Sequence, residues 1–129
     1  MADLEQLQSK YAGVTSTIQE FADLGAKVDQ TSLDGEKLYL KASVPSKVVL
    51  NRVWDAIKQA DPTYSDLHHE ILNTGGDEQS YTIRSGDNLS KIAKHFYGNA
   101  NKYPEIAKAN NISNPDLIKV GQQINLPVL

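Results

Sequence analysis

The stretch from Ser80 to Pro127 constrains the fold most, because turn-forming residues divide it into short periodic segments. Alternating apolar and polar residues at 81–84 predict a strand with one buried face. Ser85 to Asp87 then breaks the strand, with Gly86 allowing a tight turn and Asp87 predicted to cap the following helix. The apolar stripe of that helix has helical spacing and consists of Leu89, Ile92, Ala93 and Phe96.

The second half of this stretch predicts another helix and a closing strand. Gly98 ends the first helix, and Pro104 marks the first turn of a short second helix. The predicted apolar contacts of the second helix come from Tyr103, Ile106 and Ala107. Asn110-Asn111 ends this helix, and turns at 114–116 and 119–122 precede a strand at 123–126. Since the unit is so small, the two strands are predicted to pair antiparallel at its centre.

These residues resemble the LysM family. Tyr81-Thr-Ile-Arg-Ser-Gly-Asp-Asn-Leu is similar to its opening signature, in which Thr commonly occupies the position of Asn88. Tyr103-Pro-Glu-Ile, together with Ala109-Asn110, resembles its second helix, and Val120-Gly-Gln-Gln-Ile with Leu126-Pro127 resembles its closing strand. The resemblance implies non-catalytic binding of N-acetylglucosamine glycans, such as peptidoglycan or chitin.

The resemblance also implies where the ligand binds, in a shallow groove between two loops. The implied glycan-binding residues are Gly86, Asp87, Asn88, Leu89, Asn114, Pro115, Asp116, Leu117 and Ile118. Turn, cap and core roles would account for the same residues without any ligand. To separate these readings, we predict that Gly86→Val damages the turn, whereas Asn88→Ala changes affinity and leaves stability almost unchanged.

The N-terminal half predicts the order helix, strand, strand, helix, strand. A helix begins near Leu4, is interrupted near Gly13 and ends by Gly25. A short strand is predicted around Val28, and Asp34-Gly35 is a strong hairpin signal. Apolar residues then alternate through a strand at 38–44, a helix runs from 46 to 60, and a last strand covers 65–72. The apolar face of the longer helix comprises Val49, Leu50, Val53, Trp54, Ile57 and Ala60.

This order, with Pro45-Ser46 between the second strand and the following helix, resembles the BON domain. BON domains are small α/β modules associated with membranes, osmotic stress and ligand binding. The predicted fold class is therefore α/β (α+β), an α-β-β-α-β BON-like module followed by a β-α-α-β LysM module. The predicted boundaries are 1–73 for the first module, 74–79 for a linker and 80–129 for the second.

A BON-like module followed by a LysM module resembles the small cytoplasmic bacterial proteins that bind potassium. The resemblance implies an alternative function in potassium binding or sensing. Potassium is held by several oxygens, often backbone carbonyls, and the joint between the modules near Gly75 and Gly76 is the predicted place. A third alternative is a protein-interaction scaffold with Trp54 or Tyr39 as an exposed anchor.

Catalysis and several kinds of ligand are not indicated. No motif pairs a nucleophile with His68, His69 or His95, so no catalytic residue is predicted. His68 and His69 lie on opposite faces of the predicted strand and cannot chelate one metal ion. The chain contains no cysteine for disulfides or thiolate sites. The C-terminal half is only mildly basic, without the clustered charges that nucleic-acid binding requires.

The first residues, Met1 to Gln8, lack the charged and apolar regions of a signal peptide. No apolar run is long enough to cross a bilayer. As written, the chain is predicted to be a cytoplasmic monomer, whereas a removed leader would place it in the periplasm or at the cell wall.

Overall fold

The computed structural model describes residues 3–129, which divide into two compact units. The first unit runs to Pro45 and again over Val49–Gly75, and the second comprises Ser46–Val48 and Gly76–Leu129. Both mix helices and strands, in agreement with the predicted α/β class. None of the helices in the described part of the chain combines the length and apolar character needed to span a membrane.

The first unit has the predicted element order. Its helices are α1, Leu4–Lys10, α2, Ala12–Glu20, and α3, Lys47–Ala60, and its strands are β1, Lys27–Asp34, β2, Lys37–Val44, and β3, Leu67–Asn73. Strand β1 is longer than the short strand predicted around Val28. A short 3-10 turn, Ala22–Leu24, closes α2 and ends at Gly25 in the left-handed conformation, φ 103°.

The N-terminal helix is broken, as predicted, but the break is at Tyr11, two residues before Gly13. Tyr11 is fully buried, and its hydroxyl donates to the carboxylate of Asp66. Gly13 lies inside α2 with open space around its α-carbon, so its backbone freedom is not needed there. The position of the break follows from a contact with a distant residue, and the sequence gives no local signal for it.

The sheet of the first unit has the order β1-β2-β3. Strands β1 and β2 form an antiparallel hairpin, and Gly35 adopts a positive φ of 62° in its turn. Strands β2 and β3 are parallel because α3 returns the chain to the end of the sheet at which β2 begins. As predicted, one face of β2 is buried, and it packs in a core with the apolar sides of the helices: Leu38, Leu40, Ala42, Val44, Val14, Ile18, Phe21, Val49, Val53 and Ile57.

The two adjacent histidines of β3 lie on opposite faces, as predicted. The imidazole of His68 is exposed, and its Nδ1 lies 2.7 Å from the carboxylate of Asp34. His69 is half-buried, with its ring 4.6 Å from that of Trp54, and burial lowers its pKa. Trp54 also packs edge-on against Tyr64, so its indole is a half-buried part of an aromatic cluster.

A charged cluster ties the end of α1 to the loop between α3 and β3. The ammonium of Lys10 lies 2.8 Å from a carboxylate oxygen of Asp61 and 2.7 Å from one of Asp66. The hydrogen bond from Lys10 lowers the pKa of both carboxyls, and the Tyr11 hydroxyl lowers the pKa of Asp66 further. In turn, the two carboxylates raise the pKa of Lys10.

This cluster is expected to make the first unit sensitive to acid. Because the folded pKa values of Asp61 and Asp66 lie below their unfolded values near 4, their contribution is complete above about pH 5 and is lost as the pH falls further. Lys10→Met is therefore expected to lower stability at pH 7 and to flatten its decline between about pH 5 and 2. Urea unfolding at several pH values measures this, with Lys58→Met, an exposed lysine of α3, as the control. Parallel curves for wild type and Lys10→Met would contradict the assignment.

The second unit follows the predicted order β4, α4, α5, β5. These elements are β4, Gln79–Thr82, α4, Leu89–Tyr97, α5, Tyr103–Ala109, and β5, Gln123–Leu126. The strands pair antiparallel, as predicted, with Tyr81 opposite Ile124. Gly98 ends α4 with φ 74°. Strand β4 begins at Gln79, the last residue of the range predicted as a linker.

The core of the second unit lies between its two strands and two helices. It consists of Tyr81, Ile83, Leu89, Ile92, Ala93, Phe96, Ile106, Ala107, Ile124 and Leu126. The side-chain amide of Asn110 joins α5 to β5, because it donates 2.7 Å to the Asn125 carbonyl and accepts 2.8 Å from the Asn125 amide. The backbone N–H and carbonyl of Asn125 are therefore both paired with the Asn110 side chain.

Candidate functional site

A cavity of about 470 Å³ opens on the second unit. Three segments form it: the start of α4, the first residue of α5 and a 3-10 turn, Pro115–Leu117, ahead of β5. Its lining residues are Asn88, Leu89, Ser90, Tyr103, Pro115 and Asp116. Polar groups of three kinds, amide, hydroxyl and carboxylate, therefore share this cavity with apolar surface.

The loop before α4 is held by Asp87. Its carboxylate oxygen Oδ2 accepts hydrogen bonds from the Tyr81 hydroxyl at 2.6 Å and the Arg84 backbone amide at 2.8 Å. Gly86, between Arg84 and Asp87, has φ 88°, which a residue with a Cβ adopts only under strain. Asp87 is thus committed to shaping the loop.

The predicted cap of α4 is therefore corrected: the capping residue is Asn88. Its backbone is extended, with φ −142°, and its Oδ1 accepts from the Lys91 amide at 2.8 Å. The Ser90 hydroxyl donates to the same oxygen at 2.7 Å. Asp87 is displaced from this role because the phenol of Tyr81 binds its carboxylate.

The cap changes the expected effect of removing the Asn88 side chain. Asn88→Ala leaves the Lys91 amide without its partner and is expected to lower the free energy of unfolding by about 1 kcal/mol. This replaces the expectation that Asn88→Ala leaves stability almost unchanged. Urea denaturation measures the loss, and Asn88→Ser, which keeps a capping oxygen, is the control. Equal stabilities of Asn88→Ala and wild type would refute the capping role.

The loop before β5 is organised in a similar way. Asn114 Oδ1 accepts a hydrogen bond from the Asp116 amide at 3.0 Å, which caps the start of the 3-10 turn. The turn exposes the Leu117 side chain, 70% of whose surface is accessible, while Ile118 is half-buried. Pro115 and Asp116 are the residues of this loop that line the cavity.

The structure brings four of the predicted glycan-binding residues together around the cavity: Asn88, Leu89, Pro115 and Asp116. Leu89 is only 1% exposed, so it serves the core and the cavity wall together. The remaining predicted residues belong to the same two loops but are not part of its lining: Gly86, Asp87, Asn114, Leu117 and Ile118. Of these, Gly86, Asp87 and Asn114 fix the loop backbones.

Sequence reasoning missed two lining residues, Ser90 and Tyr103. Tyr103 was predicted to make apolar contacts in its helix, whereas 37% of its surface is exposed. Its position as the first residue of α5, immediately before Pro104, was an available signal. The buried stripe of this helix consists of Ile106 and Ala107, and the ring of Tyr103 lies at the exposed helix end.

Backbone groups of the segment predicted to hold potassium already make hydrogen bonds at Gly75, Gly76 and Asp77. The Gly75 amide donates to Asn73 Oδ1 at 3.0 Å, and the Gly76 and Asp77 carbonyls accept from the Lys47 and Val48 amides at 3.0 and 3.3 Å.

Gln79, which follows in β4, is 7% exposed, and its buried Oε1 has no hydrogen-bond partner among residues 3–129. No group of three or more His, Cys, Asp or Glu side chains that could hold a metal ion occurs within the same residues.

Residues 81–127 match the family model of the LysM domain. The second unit contains a LysM domain. This agrees with the family resemblance carried by the Tyr81 signature and the Val120-Gly-Gln-Gln-Ile segment. The matched model lies entirely within the second unit, and the BON-like character of the first unit stays a prediction.

Three curated relatives share part of this chain. It is 57% identical over 47 residues to an uncharacterized protein of Deinococcus radiodurans, covering 36% of this chain and 19% of that protein. It is 49% identical over 51 residues to the potassium binding protein Kbp of Escherichia coli, covering 38% and 34%. It is 41% identical over 63 residues to an esterase of Mycobacterium tuberculosis, covering 49% and 13%. The chain thus spans about a third or less of each relative's length.

Proposed function

We propose that the LysM domain binds glycan that contains N-acetylglucosamine, such as peptidoglycan or chitin, without catalysing a reaction. The observation that carries this proposal is the cavity of about 470 Å³ that joins Asn88 and Leu89 to Pro115 and Asp116. These residues come from the two loops that the family resemblance implied as the glycan groove.

The lining suits a sugar for two reasons. Sugar rings have apolar faces, which Tyr103 and Pro115 can contact, and polar edges that need hydrogen-bond partners. Asn88, Ser90 and Asp116 provide such partners at the cavity wall. Asp116 is the one charged side chain among the lining residues, so binding is expected to depend little on salt.

Titration with N-acetylglucosamine oligomers and with muropeptides tests the proposal. Backbone amide shifts at Asn88 to Ser90 and at Pro115's neighbours are expected with millimolar ligand or less. Tyr103→Ala is expected to weaken binding about tenfold through loss of one aromatic contact. Tyr39→Ala, which removes a half-buried tyrosine of the first unit, is the control. Absence of shifts at both loops for every glycan would refute glycan binding.

We propose potassium binding as a second function, favoured by the match to the potassium binding protein Kbp. An orphaned buried oxygen supports it, since Gln79 Oε1 has no donor within residues 3–129 and an unpaired buried acceptor costs stability. Gln79 Oε1 would be a ligand of the bound ion.

Thermal unfolding in potassium and sodium chloride at equal ionic strength tests this second function. A bound ion stabilises the folded state by about 2.7 kcal/mol at 100 times its Kd, so potassium is expected to raise the Tm above its value in sodium. Gln79→Met removes the oxygen with little change of shape and is expected to abolish the difference. Equal Tm values of the wild type in the two salts would refute potassium binding.

A further inference from the structure

Strand β3 forms an open edge of the sheet in the first unit, because among the described residues it pairs with β2 alone. The Asp66 carbonyl just before β3 and the Thr74 amide just after it both bind backbone groups of β2. Backbone direction alternates along a strand, so the even-numbered residues face β2, and the N–H and carbonyl groups of His69 and Ile71 face outward. An edge of this kind is a template for a further strand.

An aromatic cluster lies beside this edge on the helix side of the sheet. It consists of Trp54, Tyr64 and His69, whose ring centroids are 4.6 to 6.1 Å apart, and each of these residues is half-buried. Tyr64 has φ 36°, a left-handed conformation that a bulky residue adopts only under strain. Such strain is concentrated at functional sites. Partly exposed aromatic rings next to an unpaired strand indicate a protein interface.

The side chains of β3 complement a second copy of the same strand in one antiparallel register. With His69 opposite its own copy across a twofold axis, His68 lies opposite Glu70 of the second copy. A basic ring then faces a carboxylate on each side of the axis, and opposite-charge pairs of this kind stabilise a sheet. The neighbouring register sets Glu70 opposite itself, and like charges directly opposite each other destabilise pairing. The register centred on Ile71 sets Glu70 opposite Leu72 and forms no charge pair.

We propose that two copies of this chain associate through their β3 strands, antiparallel and with His69 at the twofold axis. Two three-stranded sheets then become one, which differs from the monomer predicted from the sequence. The His69 N–H and carbonyl form hydrogen bonds across the axis, and the Ile71 N–H of each copy donates to the Leu67 carbonyl of the other. The Leu67 amide takes no part, since it already donates to the Tyr64 carbonyl at 3.2 Å.

The same register also favours association on the helix side of the sheet. His69, Leu67 and Ile71 share this face, so Leu67 lies opposite Ile71 of the second copy and forms an apolar pair. The two aromatic clusters lie on either side of the axis, next to the paired strands. Association therefore buries aromatic surface that the single chain leaves half-exposed, and aromatic residues contribute much of the energy of protein interfaces.

Sedimentation velocity of the full chain from about 10 µM to about 1 mM tests the proposal. Wild type is expected to shift from 14.2 kDa toward twice that mass with a Kd on the order of 100 µM, since pairing of short edges gives a small interface. His68→Lys makes the pair with Glu70 permanently opposite in charge and is expected to tighten the dimer about tenfold. His68→Glu sets like charges opposite each other and is expected to weaken the dimer about tenfold.

Ile71→Pro removes the outward N–H and leaves the hydrogen bonds to β2 in place, so it is expected to weaken the dimer at least about tenfold. Glu20→Lys, at an exposed position of α2, is the charge-changing control and is expected to dimerise as wild type does. Circular dichroism and the melting temperature show which variants are folded. If Ile71→Pro fails to fold, the opposite shifts of the two His68 variants decide.

Each other outcome overturns the proposal. A wild type that keeps the single-chain mass at about 1 mM would leave the β3 edge to a different protein. A dimer that is unchanged in the folded Ile71→Pro variant and in both His68 variants would use another surface. A dimer that both His68 variants shift in the same direction would exclude the register with His68 opposite Glu70.

Discussion

Phe96→Ala is expected to lower the free energy of unfolding of the LysM domain by about 3–5 kcal/mol, close to all of its stability. Phe96 is 1% exposed, and its ring packs edge-on against Tyr81 at 5.5 Å between centroids. A domain of about fifty residues has a total stability of roughly 3–8 kcal/mol. Loss of a large aromatic side chain from so small a core therefore leaves the folded state barely populated.

The loss should appear in the amide spectrum of the full chain, because resonances of the second unit collapse toward unfolded positions. Phe96→Leu, which keeps most of the apolar volume, is expected to lose less stability and to retain dispersed resonances. Lys94→Ala, an exposed neighbour on α4, serves as the surface control. A Phe96→Ala variant with the same urea midpoint as Lys94→Ala would show that Phe96 does not anchor this core.

The same substitution links folding to binding. Helix α4 carries Asn88, Leu89 and Ser90 at its start and Phe96 one residue before its end. Once Phe96 no longer packs, the first turn of the helix loses its position against the Pro115 turn, and the cavity cannot form. Phe96→Ala is therefore expected to abolish glycan binding.

Elements whose signals are local were predictable from the sequence. The left-handed glycine that ends α4, the hairpin at Gly35 and the alternating burial of β2 all follow from the residues at those positions. The apolar stripe of α4 was predicted completely, because helical spacing and burial coincide there. The two loops of the candidate site were predicted through their family resemblance.

Features that depend on distant partners were not predictable. Asp87 is drawn away from capping by a phenol six residues earlier, and the break at Tyr11 depends on Asp66, 55 residues later. Periodicity assigned Tyr103 to the apolar side of α5, but its place at the helix end exposes it. Which loop residues line a cavity is decided by how loops face one another, and sequence spacing carries no such information.

Gly75→Ala is expected to destabilise the first unit by about 1–3 kcal/mol or more, because the chain at Gly75 lies directly against Pro45. A Cβ at Gly75 would overlap the Pro45 carbonyl oxygen, which belongs to the backbone and cannot rotate away. The preceding hydrogen bond, from the Thr74 amide to the Val44 carbonyl at 2.9 Å, keeps the two segments together.

Gly76→Ala provides a matched control at the next position, since nothing lies within 4 Å of a Cβ built there. It is expected to change stability by less than about 0.5 kcal/mol. Urea unfolding of both variants measures the difference, and equal midpoints would show that Gly75 is not required by the close approach. The comparison also bears on the potassium proposal. If the rise of Tm in potassium were lost in Gly75→Ala and kept in Gly76→Ala, the steric clash at Pro45 would explain the loss. Gln79→Met is therefore the variant that tests a potassium ligand directly.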